Sequence, residues 1–365
     1  MKASPFFVLI TLVSATSCSQ RAAFQGQPQP LLSTTVDSAR QVVRALVDRE
    51  RLPGLAVTVS AGGAGRPVVW HEGFGFADLE TRVPATPETR FRIGSVSKLL
   101  TATALMRLVQ TGVVDLDAPI EHYLATLAPH LRDITLRQLA GHLAGIRHYR
   151  GGEFLSDTPF ETLRDALATF ATDSLVAVPG ARYAYSSYGY NLLGAVLEEV
   201  TGQPFTELLH REVLAPLGMT ATAPDRKGIA LSQRARTYSI SSAGLAAAPG
   251  DDLSGRWPSG GYLSSADDLA QLGRMVLAPG LLNSASLAIL LTPQRLASGE
   301  ATSVGIGWRV SADSRGRQYL HHGGSSNGGW RSCSCIPRSS WSSPWQRTRL
   351  HDGASVTHLR SPPSF

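Results

Sequence analysis

The sequence predicts an α/β fold in which a sheet with flanking helices is interrupted by a mostly helical block. Three stretches carry that prediction. Residues 36–71 read as helix, strand, strand; residues 95–219 keep helical periodicity over most of their length; residues 265–321 return to a helix followed by strand-like pieces. With 365 residues, 43% hydrophobic and 17% charged, the chain is long enough to bury a sizeable core and too apolar to be disordered.

Met1-Lys2 precede a short apolar run, residues 5–13, that ends at Ala15-Thr16-Ser17-Cys18. This is the plan of a secretory signal peptide over residues 1–18, too short to span a membrane. The small residues before Cys18 also resemble a bacterial lipoprotein processing box, although Ala15 stands where a larger aliphatic residue is usual. Cys18 is therefore read either as a lipidation site or as part of an ordinary cleaved leader. The expected location is across the inner membrane, in the periplasm or held to the membrane by that lipid. Residues 19–35, rich in Gln, Pro and Ser, read as a linker, and the folded domain is expected over 36–330.

Val36, Ala39, Val42, Val43, Leu46 and Val47 repeat at helical spacing up to Glu50, and residues 55–61 and 67–71 have strand composition. Helices are expected over 99–111, 136–142, 160–170, 190–201 and 205–213, punctuated by Gly and Pro, so that 95–254 is mainly helical. A helix over 265–276 and strands over 305–310 and 318–321 complete the α/β part, formed by 36–94 and 255–330. No internal repeat of 20 to 50 residues is visible.

A formal charge of +6 invites a nucleic-acid or membrane-surface reading, and the placement of the charge removes it. In residues 331–365, Arg331, Arg338, Arg347, Arg349 and Arg360 stand against one acid, Asp352. That net +4, with +1 for Lys2 in the leader, leaves +1 for the body and no basic face. Nucleic acid is not an expected partner, and the membrane is one only through the possible lipid anchor. Cys333 and Cys335, two apart, are not expected to form a structural disulfide.

One Ser-x-x-Lys occurs, Ser95-Val96-Ser97-Lys98, and it opens a strong helical run. Three-residue spacing on a helix puts both side chains on one face, where an amine can reach a hydroxyl and take its proton. Alone the pattern is weak, because about one arises by chance in a chain of this length at average composition. Its bland reading is an N-cap serine beside an incidental lysine. Lysine usage strengthens it. Of 34 basic residues only Lys2, Lys98 and Lys227 are lysines, and an arginine could not deprotonate to serve as a base.

FRIGSVSK at 91–98, LAGHLAGIRHY at 139–149, YSSYGYNLLG at 185–194, PLGM at 216–219, GGYLSSADD at 260–268, GIGW at 305–308 and HHGG at 321–324 follow one another. In that order they resemble the serine β-lactamase and penicillin-binding-protein superfamily, and within it class C β-lactamase-like proteins of the LACTB type. The resemblance spans about 36–330. It implies an antiparallel sheet flanked by helices plus a mostly helical subdomain, and a serine hydrolase working by acyl transfer. Ser95 would be the nucleophile, Lys98 its general base and Tyr185 a partner in proton transfer, with no metal or organic cofactor. The bland reading of Tyr185 is a core or turn tyrosine.

Where the family has Tyr-x-Asn, Ser187 replaces the asparagine, and a hydroxyl cannot offer an amide's separate donor and acceptor to a substrate. The family's third motif, Lys-Thr-Gly or His-x-Gly, is read as His321-His322-Gly323. His321 would face the substrate's acyl group or carboxylate, Gly323 would let substrate approach an edge strand, and the Gly324 N–H would join that of Ser95 in an oxyanion hole. The bland reading of His321 is a solvated strand histidine. His142 is read as structural. Burial should depress the Lys98 pKa. The implied substrates are a β-lactam, a D-amino-acid peptide from peptidoglycan, an ester or a peptide bond; Ser187 and His321 tilt the reading toward esterase or peptidase.

Two rival site readings fail on the sequence. Gly324-Ser325-Ser326-Asn327-Gly328 fits the α/β-hydrolase nucleophile elbow, but that fold needs a helix and then Asp and His far downstream, and only 37 residues remain. His321 and His322 with Cys333 and Cys335 can be drawn as a zinc site, yet no second shell supports it. A catalytically silent relative that binds peptidoglycan or a partner stays open. Residues 331–365, with nine Ser, five Arg, four Pro and two Cys, show no helix or strand period where relatives carry two hydrophobic strands and a packing helix. They read as an out-of-frame ending. Back-translation of 330–349 from the third base of the Trp330 codon allows AQLLVHPEEQLVVAVAANT, so the last strands and the C-terminal helix are expected to be missing, with an inactive truncated product as the alternative reading.

Overall fold

The computed structural model describes residues 30–60, 68–241, 244–248, 250–327, 329–338 and 351–360. The chain divides into two compact units, residues 1–52 and 53–365. In the first, helix α1 (Pro30–Arg49) carries Ala39, Val43 and Leu46 on one face, and the Leu52 N–H returns to Val47 O at 3.0 Å. The helix begins inside the segment read as linker, because a proline in a first turn lacks only an N–H that would have no helical partner there. The leader with Cys18, and the linker up to residue 29, lie outside the described residues. Among the described residues no helix is long and apolar enough to cross a membrane.

The second unit opens with an antiparallel meander, β1 (Gly54–Ser60), β2 (Val68–Asp78) and β3 (Val83–Pro84), in which Leu55 lies opposite Phe74. β1 is buried on both faces after its first residue, which is why its sequence does not alternate. β4 (Phe91–Arg92) leads through a 3-10 turn, Gly94–Val96, into α2 (Ser97–Gln110). The helical block continues with α3 (Leu136–Ala140), α4 (Leu163–Ala166), α5 (Ser187–Thr201) and α6 (Phe205–Leu209). Short strands β5 (Ala223–Pro224), β6 (Tyr238–Ser241) and β7 (Gly244–Ala247) precede α7 (Trp257–Gly260), β8 (Tyr262–Ser264), α8 (Ala266–Met275) and α9 (Ser284–Leu291). β9 (Arg309–Ala312), β10 (Gln318–Ser326), β11 (Gly329–Arg338) and β12 (His351–Arg360) complete the chain.

α2 is the axis of the helical block. Leu99, Leu100, Ala102, Leu105 and Met106 are each 0% exposed, and α5, α6, α7 and α9 pack around it. A helix apolar on every side belongs at the centre of a layer. The strands form sheets in the orders β1-β2-β3, β12-β11-β10-β9 and β4-β8-β5, with β6-β7 as a separate hairpin, and every ladder between named strands is antiparallel, as the fold class required.

The departures have local causes. The single helix expected over 160–170 is α4 followed by a 3-10 turn, Leu167–Thr169, and α6 passes into a π turn, His210–Leu214. α9 was not anticipated: SASLAILL is apolar almost throughout and shows no period, and its start is set by Asn283, whose side chain accepts the Ser286 N–H at 2.8 Å. The tail needs a correction. Its backbone supplies β11 and β12, with Leu320 opposite Cys335 and Ser334 opposite Val356, so the last strands are not missing. Ladder hydrogen bonds use main-chain groups, and β10 offers its open edge to any extended backbone regardless of side-chain pattern. Among the described residues after Arg338 none is helical. Ser326 lies within β10 and not on a strand-to-helix elbow, which removes the α/β-hydrolase reading.

Candidate active site

The turn before α2 decides where Ser95 points. Gly94 has φ of +50°, a left-handed conformation that favours glycine, and a Cβ there would lie 2.2 Å from Ser325 O. The Ile93 N–H donates to Tyr262 O at 3.0 Å and ties the turn to β8. Pressed between β8 and β10, the turn leaves Ser95 half-buried, while Lys98, one helical turn on, is 0% exposed.

The Lys98 Nζ stands 3.2 Å from Ser95 Oγ, 3.0 Å from Ser187 Oγ and 2.7 Å from the Ser259 carbonyl oxygen. A carbonyl can only accept, so one N–H belongs to Ser259. With a second donated to Ser187, the lone pair of the neutral amine is left for the Ser95 hydroxyl. Burial brings the Lys98 pKa down from 10.5 to about 7, with Tyr149 opposing the fall and the Arg309 charge adding to it. The Tyr185 hydroxyl donates to Ser95 Oγ at 2.8 Å, and burial raises its pKa above 10.0, only partly offset by the Ser95 hydrogen bond and Arg309. At neutral pH the phenol keeps its proton while the amine can be free of one. Of the two groups touching Ser95, the amine is the one equipped to accept.

A bed of side chains fixes Tyr185 and Ser187. Ser186 caps α5: its Oγ accepts the Gly189 N–H at 2.9 Å and donates to Arg147 O at 2.8 Å. His142 Nδ1 accepts the Ser186 N–H and His148 Nδ1 accepts the Ser187 N–H, each at 3.2 Å. An imidazole nitrogen that accepts must be unprotonated. Burial and then the Lys98 charge lower both pKa values, His142 well below 6.5. His148 is exposed as a residue, yet its Nδ1 is held against the backbone and its ring lies 4.6 Å from that of Tyr149. The His142 ring lies 4.4 Å from that of Tyr185, and Arg147 is fastened to Glu153 at 2.7 Å and Asp173 at 2.5 Å. The stretch 139–149 is therefore the support beneath the segment that carries Tyr185 into α5. Ser187, standing where the family has an asparagine, accepts an N–H of Lys98 at its hydroxyl oxygen.

The third motif lies one residue beyond its sequence reading. Along β10, Leu320, His322 and Gly324 are buried, whereas His321 turns the other way and its Nε2 meets Ser311 Oγ on β9 at 2.9 Å. His322 is 2% exposed, with its ring 6.4 Å from that of Tyr185 and its Nδ1 donating to Gly323 O at 2.6 Å. Burial and the Lys98 charge hold it well below 6.5. His-His-Gly-Gly satisfies His-x-Gly starting at either histidine, and because strand side chains alternate, only the sheet decides which one faces inward. Gly324 also faces inward: a Cβ would lie 2.1 Å from Ile93 O and 3.2 Å from Ser95 N. Opposite Ser95 the cleft is lined by Ser325, Ser326 and Asn327, not by Gly323 or Gly324. β9 pairs with β10 only as far as His321, so the edge beyond is open on that side. The candidate oxyanion donor beside the Ser95 N–H thus moves from Gly324 to Ser325.

Several neighbours escaped the sequence. Tyr149, Phe154 and Leu253 form an apolar wall of the cleft, and Arg309 donates to Tyr183 OH at 3.1 Å with its guanidinium 5.8 Å from the Tyr185 ring. The Ser259 carbonyl carries no side-chain signal at all, although the following Gly260-Gly261 marked the segment. Among the described residues one group of metal-donor side chains, His71, Glu88 and Asp267, has its donor atoms within 4.8 Å of one another; it is solvent-facing and none of it lines the cleft. The side chains of Cys333 and Cys335 lie outside the described residues.

A family model described as Beta-lactamase matches residues 39–339. The mitochondrial serine beta-lactamase-like protein LACTB of Mus musculus is 28% identical over 352 residues, covering 72% of this chain and 63% of that protein. Its Homo sapiens counterpart is 27% identical, covering 71% and 62%. The chain thus spans under two thirds of the length of these relatives. Among solved structures, the octameric penicillin-binding protein homologue from Pyrococcus abyssi superposes with a TM-score of 0.74 at 26% identity, over 89% of this chain and 73% of that one. A class C beta lactamase from Rhodobacter sphaeroides, at 20% identity, shares the fold with a TM-score of 0.68 over 90% of this chain and 95% of its own.

Proposed function

The chain belongs to the β-lactamase family, and on that premise we propose a serine hydrolase that works through an acyl-enzyme, with Ser95 as nucleophile, Lys98 as general base and Tyr185 as proton carrier. One observation carries the reading. An amine at 3.2 Å with a pKa near 7 and a protonated phenol at 2.8 Å converge on a single hydroxyl.

Lys98 takes the Ser95 proton as Oγ bonds to the substrate carbonyl carbon, and the N–H groups of Ser95 and Ser325 receive the oxyanion. Tyr185 passes a proton to the leaving group and is replenished from the lysine. Water, deprotonated by the same amine, then releases the acyl group and regenerates the serine. The step balances without a cofactor: one bond to carbon forms, one breaks, and a single proton circulates.

For the substrate, an ester or peptide amide is favoured over rapid β-lactam turnover. Ser187 accepts from Lys98 and offers no amide, and a neutral His322 stands where the family's Lys-Thr-Gly form carries a charge. The leader reading makes the periplasm, with or without a Cys18 anchor, the proposed location and peptidoglycan a candidate partner; the mammalian relatives are themselves named as mitochondrial. The deciding experiment labels the chain, and a chain with its tail frame restored, with a fluorophosphonate and a fluorescent penicillin. Labelling by the first alone selects esterase or peptidase, labelling by both a penicillin-binding activity, and labelling by neither the silent binding protein.

A further inference from the structure

The amine of Lys98 depends on an acceptor it does not carry, the Ser259 carbonyl, and α7, which holds that carbonyl, cannot place itself. It has four residues and no side-chain cap. Its position comes from outside. Pro258 is wedged against α5, where a Cβ on Gly194 would lie 2.1 Å from Pro258 Cγ, and Pro258 O accepts from Thr101 Oγ1 at 2.7 Å.

Just upstream, Arg256 ends the turn Ser254–Arg256 and is held by Phe154 O at 2.5 Å, by Asp252 O at 2.9 Å and by Asp251 Oδ2 at 3.0 Å. The other oxygen of Asp251 accepts from Arg92, on the strand that runs directly into the Ser95 turn. Asp251 and Arg92 are each 5% exposed, so this pair is little screened by solvent. Asp225 also pairs with Arg92, at 2.6 Å, and with Arg234, at 2.8 Å. Among the ion pairs of the described residues, Asp251 alone joins the nucleophile strand to the segment leading to Ser259.

We propose that Asp251 is a positioning residue for the reaction, bridging Arg92 and Arg256 so that the Ser259 carbonyl meets the Lys98 amine at the distance that aims its lone pair at Ser95. The proposal rests on Lys98 being the general base. A carbonyl dipole favours the ammonium, so loosening the contact both misaims the amine and lowers its proton affinity.

The test compares wild type, Asp251→Asn and Arg256→Gln at matched folded fraction, following the rate of fluorophosphonate acylation against pH. Both variants are expected to lose about tenfold in rate on the alkaline plateau, and in both the midpoint of the rise should move to lower pH. Simple charge removal would move the two midpoints in opposite directions, because one variant loses an anion and the other a cation. A purely structural role would lower the melting temperature and leave both midpoints in place. Either pattern overturns the proposal. Should Asp251→Asn fail to fold, Arg256→Gln decides alone, since it leaves the Arg92 pairs intact. If wild type itself shows no rise near pH 7, the lysine-base reading has failed; an unshifted midpoint in variants of an enzyme that does show the rise rejects Asp251 only.

Discussion

Lys98 and Tyr185 touch the same oxygen and are driven in opposite directions by the same burial, since desolvation disfavours whichever form is charged. That opposition yields the sharpest expectation for pH. Acylation needs the free amine, so its rate should climb as pH rises through about 7 and level off above. Lys98→Arg should retain the fold and abolish acylation, because a guanidinium has no lone pair to offer near neutral pH. Tyr185→Phe removes the donor at 2.8 Å and should slow acylation by about 10²–10⁴ in stopped-flow labelling, with little change in melting temperature. Ser95, Lys98 and Tyr185 could be singled out in the sequence because their side-chain types and spacing are the chemistry. The Ser259 carbonyl could not, since any residue supplies one, and the choice between His321 and His322 depended on which face of β10 is buried.

At the scale of elements, two junctions hold the site. Ser186→Ala removes the cap of α5 and should cost about 1 kcal/mol in chemical denaturation. The same change loosens the junction that holds Tyr185 and the first residue of α5, Ser187, so labelling should fall further than stability does. Gly324→Ala drives a methyl group to within 2.1 Å of Ile93 O, which forces β10 away from the Ser95 turn. The expected result is loss of labelling together with a lowered melting temperature; wild-type labelling would show that the close approach is dispensable. α2 and α5 were legible because long helices repeat their pattern over several turns, although α5 begins earlier than its period shows. α9 and the 3-10 and π turns were not, since pieces this short take their shape from capping and neighbours rather than from period.

Across the whole molecule, buried neutral histidines set a lower bound on pH. His142 and His322 have folded pKa values well below 6.5, so below that pH the unfolded chain binds more protons than the folded one and stability must fall with acidification. Melting temperatures taken from pH 7.5 to 5 should decline below about 6.5; a flat profile would mean that these rings are solvated. β11 lies between β10 and β12, and its sequence lacks the apolar alternation a central strand usually carries. Replacing residues 331–349 with the back-translated AQLLVHPEEQLVVAVAANT should therefore raise the melting temperature and the fraction of chains that label.

The most direct measurement is mass-spectrometric mapping of the fluorophosphonate adduct at pH 6 and pH 8 on the chain carrying the back-translated tail sequence, with Lys98→Arg alongside. A single adduct on the peptide containing Ser95, formed faster at pH 8 and absent from Lys98→Arg, is the expected result. An adduct on any other residue, or Ser95 labelled as quickly without its lysine, would contradict the assignment of nucleophile and base.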